Sequence, residues 1–124
     1  MPTQFRDFFL ALGAVLVMAG LFAPGAALAD LALADLGLAD VSAGEALFQN
    51  HCVGCHVNGG NILRRGKTLK LAALERNGIT SADAVALIAA NGLGQMSGYG
   101  AVLGDGGAEQ VASYVWSRAQ AGWP

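Results

Sequence analysis

Two cysteines and a histidine fall within five consecutive residues, Cys52-Val53-Gly54-Cys55-His56, and this motif constrains the fold more than any other feature. The chain has 124 residues, 18 of them glycine, and many of its apolar residues are alanine, so it holds few bulky side chains for a core. Domains this small usually need a disulfide, a metal or another prosthetic group for stability. We therefore expect a single domain built around such a group, with the motif marking its place.

The Cys-x-x-Cys-His spacing in an exported protein is typical of covalent haem attachment. Cys52 and Cys55, three positions apart near the end of a helix, can each form a thioether with one of the two haem vinyl groups. The next residue, His56, is then placed as an axial ligand of the iron. The spacing predicts one covalently bound haem c.

Three other interpretations use the same residues. A Cys52–Cys55 disulfide suits an oxidising compartment but leaves His56 unexplained. A thioredoxin-like redox pair needs a strand-helix-strand pattern, which the sequence lacks. A structural zinc site needs four ligands, and the chain offers two cysteines and two histidines, with His51 crowded beside Cys52.

Met96 is predicted to be the second axial ligand. Met1 and Met18 fall in a predicted export signal, and Met96 lies in a Gly-rich loop that allows its sulfur to approach a flat ring. His51 is the alternative ligand, but its backbone is tied beside Cys52, so we interpret it as a surface histidine. With His56 and Met96 bound, no iron position is open to substrate, which predicts an electron carrier without catalytic residues rather than an enzyme.

Residues 1–29 are predicted to be a cleavable secretory signal peptide. Arg6 supplies positive charge, residues 8–22 are almost wholly apolar, and Ala27-Leu28-Ala29 is a small-x-small cleavage site. The apolar run is shorter than the roughly 20 residues that span a bilayer. Cleavage after Ala34 or Ala39 has similar chemistry. Residues 30–40 then form a low-complexity lead, and 41–124 form the domain.

Helical patterning predicts an all-α fold of about four helices around the haem. The predicted helices run from Ser42, the N-cap of a capping box with Glu45, to near Asn50; over 68–76; over 82–90, capped by Ser81; and over about 107–121, capped by Asp105. Residues 93–107 are predicted to form a long Gly-rich loop. No run alternates with period two, so no sheet of any size is expected.

Charge excludes one class of partner. After residue 29 the chain carries six basic and eight acidic side chains, which is not the basic field that nucleic-acid binding needs. The densest basic cluster, residues 64–70, is interpreted as a solvated loop.

With these motifs the chain resembles class I c-type cytochromes, and among them the cytochrome c6 family, over residues 41–123. The matching residues are Gly44, Phe48, Cys52 to His56, Lys67-Thr68-Leu69, Ala72-Ala73-Leu74, Asn91-Gly92, Met96 and Val111-Ala112-x-Tyr114-Val115. The resemblance implies the small class I cytochrome c fold, in which Gly44 and Phe48 cross the last helix near Val111 and Tyr114.

Three positions depart from the typical family pattern. Ile88 stands where cytochrome c6 has a haem-contacting Gln, Ser97 replaces the Pro after the ligand Met, and Val102 replaces an Arg associated with partner docking. The resemblance implies that Ile88 contacts the haem and that the missing polar contact lowers the reduction potential. Such departures resemble those of c6-like side branches.

The resemblance implies a soluble, monomeric carrier of the photosynthetic or respiratory chain in a thylakoid lumen or periplasm, with no membrane insertion of the mature chain. Its implied donor is a cytochrome bf-type complex and its implied acceptor photosystem I or a terminal oxidase. Two alternatives remain: a haem-based sensor or small-ligand binding protein, which requires Met96 to leave the iron readily, and a haem subunit docked permanently to a larger enzyme.

Overall fold

The computed structural model describes residues 25–124, with side chains from residue 35 onward. The chain divides into two units, Met1–Leu33 and Ala34–Pro124, and the second contains the features described below. Residues 1–24 of the predicted signal peptide lie outside the described residues. Among the described helices, none is both long and apolar enough to cross a bilayer.

The described chain is helical, as predicted. Its helices are α1 (Gly25–His51), α2 (Leu71–Arg76), α3 (Ala82–Asn91), α4 (Gly100–Leu103) and α5 (Gly107–Ala121). A 3-10 turn covers Val57–Gly59, and two short strands, β1 (Gly92–Leu93) and β2 (Met96–Ser97), form an antiparallel hairpin in which Leu93 pairs with Met96. Helix α3 packs along α5.

The predicted start of the first helix at Ser42 is wrong. Helix α1 runs through this position, and the Ser42 hydroxyl donates a 3.0 Å hydrogen bond to the Ala39 carbonyl instead of capping a helix. The preceding stretch, residues 30–40, is mostly Leu and Ala, which have high helix propensity, and it contains no proline. The helix therefore extends N-terminally, while its end at His51 agrees with the predicted end near Asn50.

The other helices follow their local signals more closely. Ser81 caps α3 by accepting a 3.2 Å hydrogen bond from the backbone N–H of Ala84, as predicted. The predicted bounds of α5 are confirmed, but its N-cap is Gly106 with φ +75° rather than Asp105. The predicted loop over 93–107 is partly wrong, because it contains β2 and α4.

Helices α1 and α5 cross at a point where only a glycine fits. A Cβ atom on Gly44 would lie 1.9 Å from the carbonyl oxygen of Gln110. One turn further along α1, Phe48 is 2% exposed and its ring centroid lies 5.3 Å from that of Tyr114. The predicted crossing of the first and last helices is therefore confirmed.

Trp123, beyond the end of α5, extends this core towards the loop after α1. Its ring centroid lies 5.5 Å from that of Phe48 and 6.0 Å from that of Tyr114. Its indole N–H donates a 2.9 Å hydrogen bond to the Leu69 carbonyl. Gly59 packs against its face so closely that a Cβ there would lie 2.3 Å from the indole.

Candidate functional site

A cleft with a volume of about 450 Å³ lies between the end of α1, the loop before α2, and the β1–β2 hairpin. The five residues predicted from the sequence to bind haem or its iron all line this cleft: Cys52, Cys55, His56, Ile88 and Met96. A smaller cavity of about 60 Å³ extends into the core and is lined by four of them, Cys52, His56, Ile88 and Met96. The fold thus brings residues up to 44 positions apart in the sequence into one site.

The Cys-x-x-Cys-His motif enters the cleft because the chain turns tightly as α1 ends. The backbone N–H groups of Cys52 and Val53 both donate to the Phe48 carbonyl, at 2.9 and 3.0 Å. The N–H groups of Cys55 and His56 then donate to the Cys52 carbonyl, at 3.1 and 3.0 Å. These turns direct both thiols and the imidazole to the same cavity.

Cys52 and Cys55 are not joined by a disulfide, so the alternative of a Cys52–Cys55 disulfide does not describe this structure. Cys52 is half-buried on the inner wall, and Cys55 is exposed at the outer edge. Burial raises the pKa of the Cys52 thiol, and the neighbouring Cys55 raises it further. The cleft therefore offers one inner and one outer sulfur for covalent attachment.

His56 is held with one ring nitrogen committed. The side chain is 8% exposed, and its Nδ1 lies 2.8 Å from the carbonyl oxygen of Gly60. Because a carbonyl only accepts, Nδ1 must carry the hydrogen, and Nε2 of the neutral ring keeps its lone pair. A backbone carbonyl that fixes the tautomer and orientation in this way is typical of metal-binding histidines.

Met96 reaches the cleft from the hairpin that follows α3. Glycine makes this hairpin possible: Gly92 has φ +81°, and a Cβ there would lie 2.5 Å from the Met96 carbonyl oxygen. The hairpin is also bound to α3, because the Tyr99 N–H donates a 2.8 Å hydrogen bond to the Ala89 carbonyl. The half-buried thioether is thereby placed in the same cleft as the imidazole.

The remaining predictions concern His51 and Ile88. His51 is exposed at the cleft edge as the last residue of α1, in agreement with its interpretation as a surface histidine. Ile88 is half-buried on α3 and lines both the cleft and its inner extension. It is therefore placed to contact whatever fills the cleft.

Sequence reasoning missed much of the cleft wall. Leu69, Leu74 and Ile79 supply apolar surface, and Asn61 and Asn77 lie at its polar side. Leu69 and Leu74 lie in the predicted helix over 68–76, where their helical spacing is a signal that could identify them as candidate lining. Nothing in the local sequence links Asn61 to Asn77, which are brought together by tertiary structure.

The side chains that line the cleft have the chemistry needed to bind haem c. It combines an apolar wall, two thiols at the attachment spacing, an imidazole with a free Nε2 and a soft thioether sulfur. Soft sulfur and imidazole are ligands that haem iron takes in electron-transfer proteins. This site, set in a small helical fold, defines a class I c-type cytochrome domain.

Comparisons with known proteins identify the family within this class. The family model described as cytochrome C oxidase, cbb3-type, subunit III matches residues 39–115. The cytochrome c6-like protein of Nostoc sp. strain PCC 7120 is 44% identical over 80 residues, covering 64% of this chain and 72% of that protein. Cytochrome c6 of Synechocystis sp. strain PCC 6803 is 38% identical over 121 residues, covering 95% of this chain and 92% of that protein.

A solved structure gives the same result. The crystal structure of cytochrome c6B from Synechococcus sp. WH8102 superposes with a TM-score of 0.65 at 57% identity, covering 66% of this chain and 93% of that one. The chain belongs to the cytochrome c6 family and is a c6-like member of it. Its cofactor is covalently bound haem c, and it is an electron carrier rather than an enzyme.

Proposed function

We propose that this chain is a mobile monohaem carrier that takes single electrons from a cytochrome bf-type complex and passes them to photosystem I or a terminal oxidase. The observation that supports this most directly is the meeting of Cys52, Cys55, His56 and Met96 in one cleft. Cys52 and Cys55 would attach the haem and His56 and Met96 would bind its iron, which would leave no coordination position for a substrate, so the bound group would supply electron exchange alone.

Each residue has a defined part in holding the cofactor. Cys52 and Cys55 would form the thioethers, while His56, through Nε2, and Met96, through its sulfur, would bind the iron. Bound haem supplies a one-electron couple at that iron. The protein orients the imidazole through Gly60, excludes water from the inner cavity with apolar side chains, and keeps the outer edge of the cleft at the surface, where Cys55 is exposed.

Ile88 bears on the choice of acceptor. An aliphatic side chain at this point of the cleft wall donates no hydrogen bond to the bound group, whereas the Gln of a typical cytochrome c6 would. A polar donor beside the ring stabilises the electron-richer, reduced state, so its replacement lowers the reduction potential. We therefore place this chain with the c6-like side branches, with a reduction potential below that of a typical cytochrome c6.

The compartment follows from the export signal. Residues 1–29 are cleaved, residues 30–40 form a lead, and 41–124 form the functional domain, which is released into the thylakoid lumen or periplasm as a monomer. Haem attachment and diffusion between membrane complexes both require that location. Sequencing the N-terminus of the mature protein would establish the cleavage site; an uncleaved chain would contradict this part of the proposal.

The function is tested by maturing the full chain in a host with haem-attachment machinery and recording mass, absorption spectrum and reduction potential. The expected product carries the mass of one haem, shows low-spin iron with methionine coordination, and titrates with one electron. The C52A/C55A variant should lose covalent attachment. A colourless product would contradict haem binding. Prompt binding of carbon monoxide by the reduced parent protein would favour the sensor alternative, because it requires Met96 to leave the iron.

A further inference from the structure

The turn that follows the Cys-x-x-Cys-His motif orients His56 through one hydrogen bond. The Nδ1–H of His56 donates this 2.8 Å bond to the Gly60 carbonyl. Within the turn, the Gly60 N–H donates a 2.8 Å hydrogen bond to the Val57 carbonyl. Of residues 57–60 only Gly59 is buried, so the turn places no side chain of its own in the core. The Gly60 carbonyl must therefore be held in position by residues outside the turn.

Trp123 holds this turn in two ways. Its indole covers Gly59 so closely that a Cβ atom on Gly59 would lie 2.3 Å from the ring. Its indole N–H donates a 2.9 Å hydrogen bond to the Leu69 carbonyl, and the Leu69 N–H in turn donates a 2.8 Å hydrogen bond to the Gly59 carbonyl. The face of the ring and its N–H group thus both act on Gly59, which is the residue before the carbonyl that His56 binds.

The indole is itself held by the two helices that cross in the core. Gly122, with φ +86°, ends α5 and lets the chain turn towards the core. The indole centroid then lies 5.5 Å from that of Phe48 on α1 and 6.0 Å from that of Tyr114 on α5. The guanidinium carbon of Arg118 lies 5.8 Å from the same ring. Because close-packed side chains move little relative to one another, the indole gives the turn a rigid support.

We propose that Trp123 is a positioning residue for the cofactor: by fixing Gly59 it strengthens the bond from His56 to Gly60 and thereby lowers the reduction potential. The proposal rests on the proposed function, because it takes His56 to be an iron ligand. A ring N–H that donates to a firmly placed carbonyl makes the imidazole a more basic ligand. A more basic ligand favours ferric iron, which has the higher charge. A weakened bond should therefore raise the potential.

The sign of the potential shift separates this role from ordinary packing. Loosening the apolar shell of a haem admits water, and water stabilises the more highly charged ferric state, which lowers the potential. Loss of the bond from His56 to Gly60 acts in the opposite direction. If Trp123 only packs, removing its indole should lower the potential or leave it unchanged, whereas positioning requires a rise.

Redox titration of the matured holoproteins measures this sign. W123L removes the ring face and its N–H, so the ratio of ferric to ferrous protein at a fixed solution potential should fall about fivefold, the effect of one ordinary hydrogen bond and equivalent to a rise of about 40 mV. W123F keeps a ring over Gly59 but loses the bond to Leu69, and the ratio should fall about twofold. The matched control is L103A. Leu103 is 8% exposed and lines neither the cleft nor its inner extension, so L103A should destabilise the protein without lowering the ratio.

A second measurement follows the hydrogen bond itself. Low-spin ferrous iron is diamagnetic, so NMR of the reduced holoprotein can observe the Nδ1–H of His56, and its exchange with solvent reports how often the bond opens. Under conditions where all the proteins stay folded, exchange should be about fivefold faster in W123L than in the parent protein. In L103A the exchange rate should match that of the parent protein.

The outcomes separate this proposal from the function on which it rests. A potential that falls or stays unchanged in W123L, or equal exchange rates in W123L and L103A, would overturn the proposal and make Trp123 a packing residue only. If W123L does not fold around haem, W123F is tested by the same two measurements, and an unchanged potential there would overturn the proposal. A parent protein that matures without haem, or without histidine on the iron, would contradict the proposed function itself.

Discussion

The Nδ1–H of His56 donates a 2.8 Å hydrogen bond to the carbonyl of Gly60. The preceding residue, Gly59, is buried against the Trp123 indole. The carbonyl that orients the imidazole therefore belongs to a loop held down by the last aromatic residue of the chain. Trp123 is in turn bound to Leu69 through its indole N–H and packs against Phe48. The packing of Trp123 on this loop therefore both stabilises the fold and helps to orient His56, the predicted iron ligand.

Truncating Trp123 should destabilise the holoprotein. W123A removes the aromatic contacts and the hydrogen bond, and should lower the free energy of unfolding by about 3 kcal/mol. W123F keeps a ring against Phe48 and Tyr114 but loses the bond to Leu69, and should cost about 1 kcal/mol. Guanidinium unfolding followed by absorbance and circular dichroism measures both. Equal losses in the two variants would show that the ring contacts contribute little.

The sequence predicts that Cys52, Cys55 and His56 lie together because covalent attachment needs a local spacing, and the structure places all three in one cleft. Ser81 was predictable for the same reason, since its cap spans three residues. The start of α1 was not predictable from the sequence, because the Leu- and Ala-rich lead is as good a helix former as the segment that follows. The Trp123–Leu69 hydrogen bond joins residues 54 positions apart and has no local signature.

Because α1 and α5 cross closely at Gly44, adding one methyl group there should strongly destabilise the protein. In G44A the new Cβ would meet the Gln110 carbonyl at 1.9 Å, so the helices must separate, at a cost of about 3 kcal/mol. G37A is the matched control: it lies in the same helix with nothing within 4 Å of the new Cβ, and should stabilise by up to about 1 kcal/mol through helix propensity. A G44A protein as stable as G37A would contradict the close crossing.

Gly98 should control whether Met96 stays on the iron. A Cβ at Gly98 would lie 2.6 Å from the Ala90 carbonyl oxygen, so G98A must push the hairpin away from the end of α3. The expected result is loss of the methionine-to-iron charge-transfer band in the oxidised protein and binding of carbon monoxide by the reduced protein. In G94A the new Cβ meets nothing within 4 Å, and the positive φ of +60° costs about 1 kcal/mol, so methionine coordination should survive. Retention of the band in G98A would show that the hairpin is not positioned by this contact.

Ile88 provides the sharpest test of how the cleft sets the reduction potential. I88Q places an amide donor on the wall shared by the cleft and its inner extension, and should raise the potential. A hydrogen bond that favours the reduced state by about 1 to 2 kcal/mol corresponds to about 40 to 90 mV for one electron. L87Q is the matched control, because Leu87 is the preceding residue of α3, is 65% exposed and does not line the cleft, so its potential should equal that of the parent. Redox titration of the three proteins at one pH and ionic strength measures the difference. An unchanged potential in I88Q, or an equal rise in L87Q, would contradict the proposal that Ile88 lowers the reduction potential of this chain.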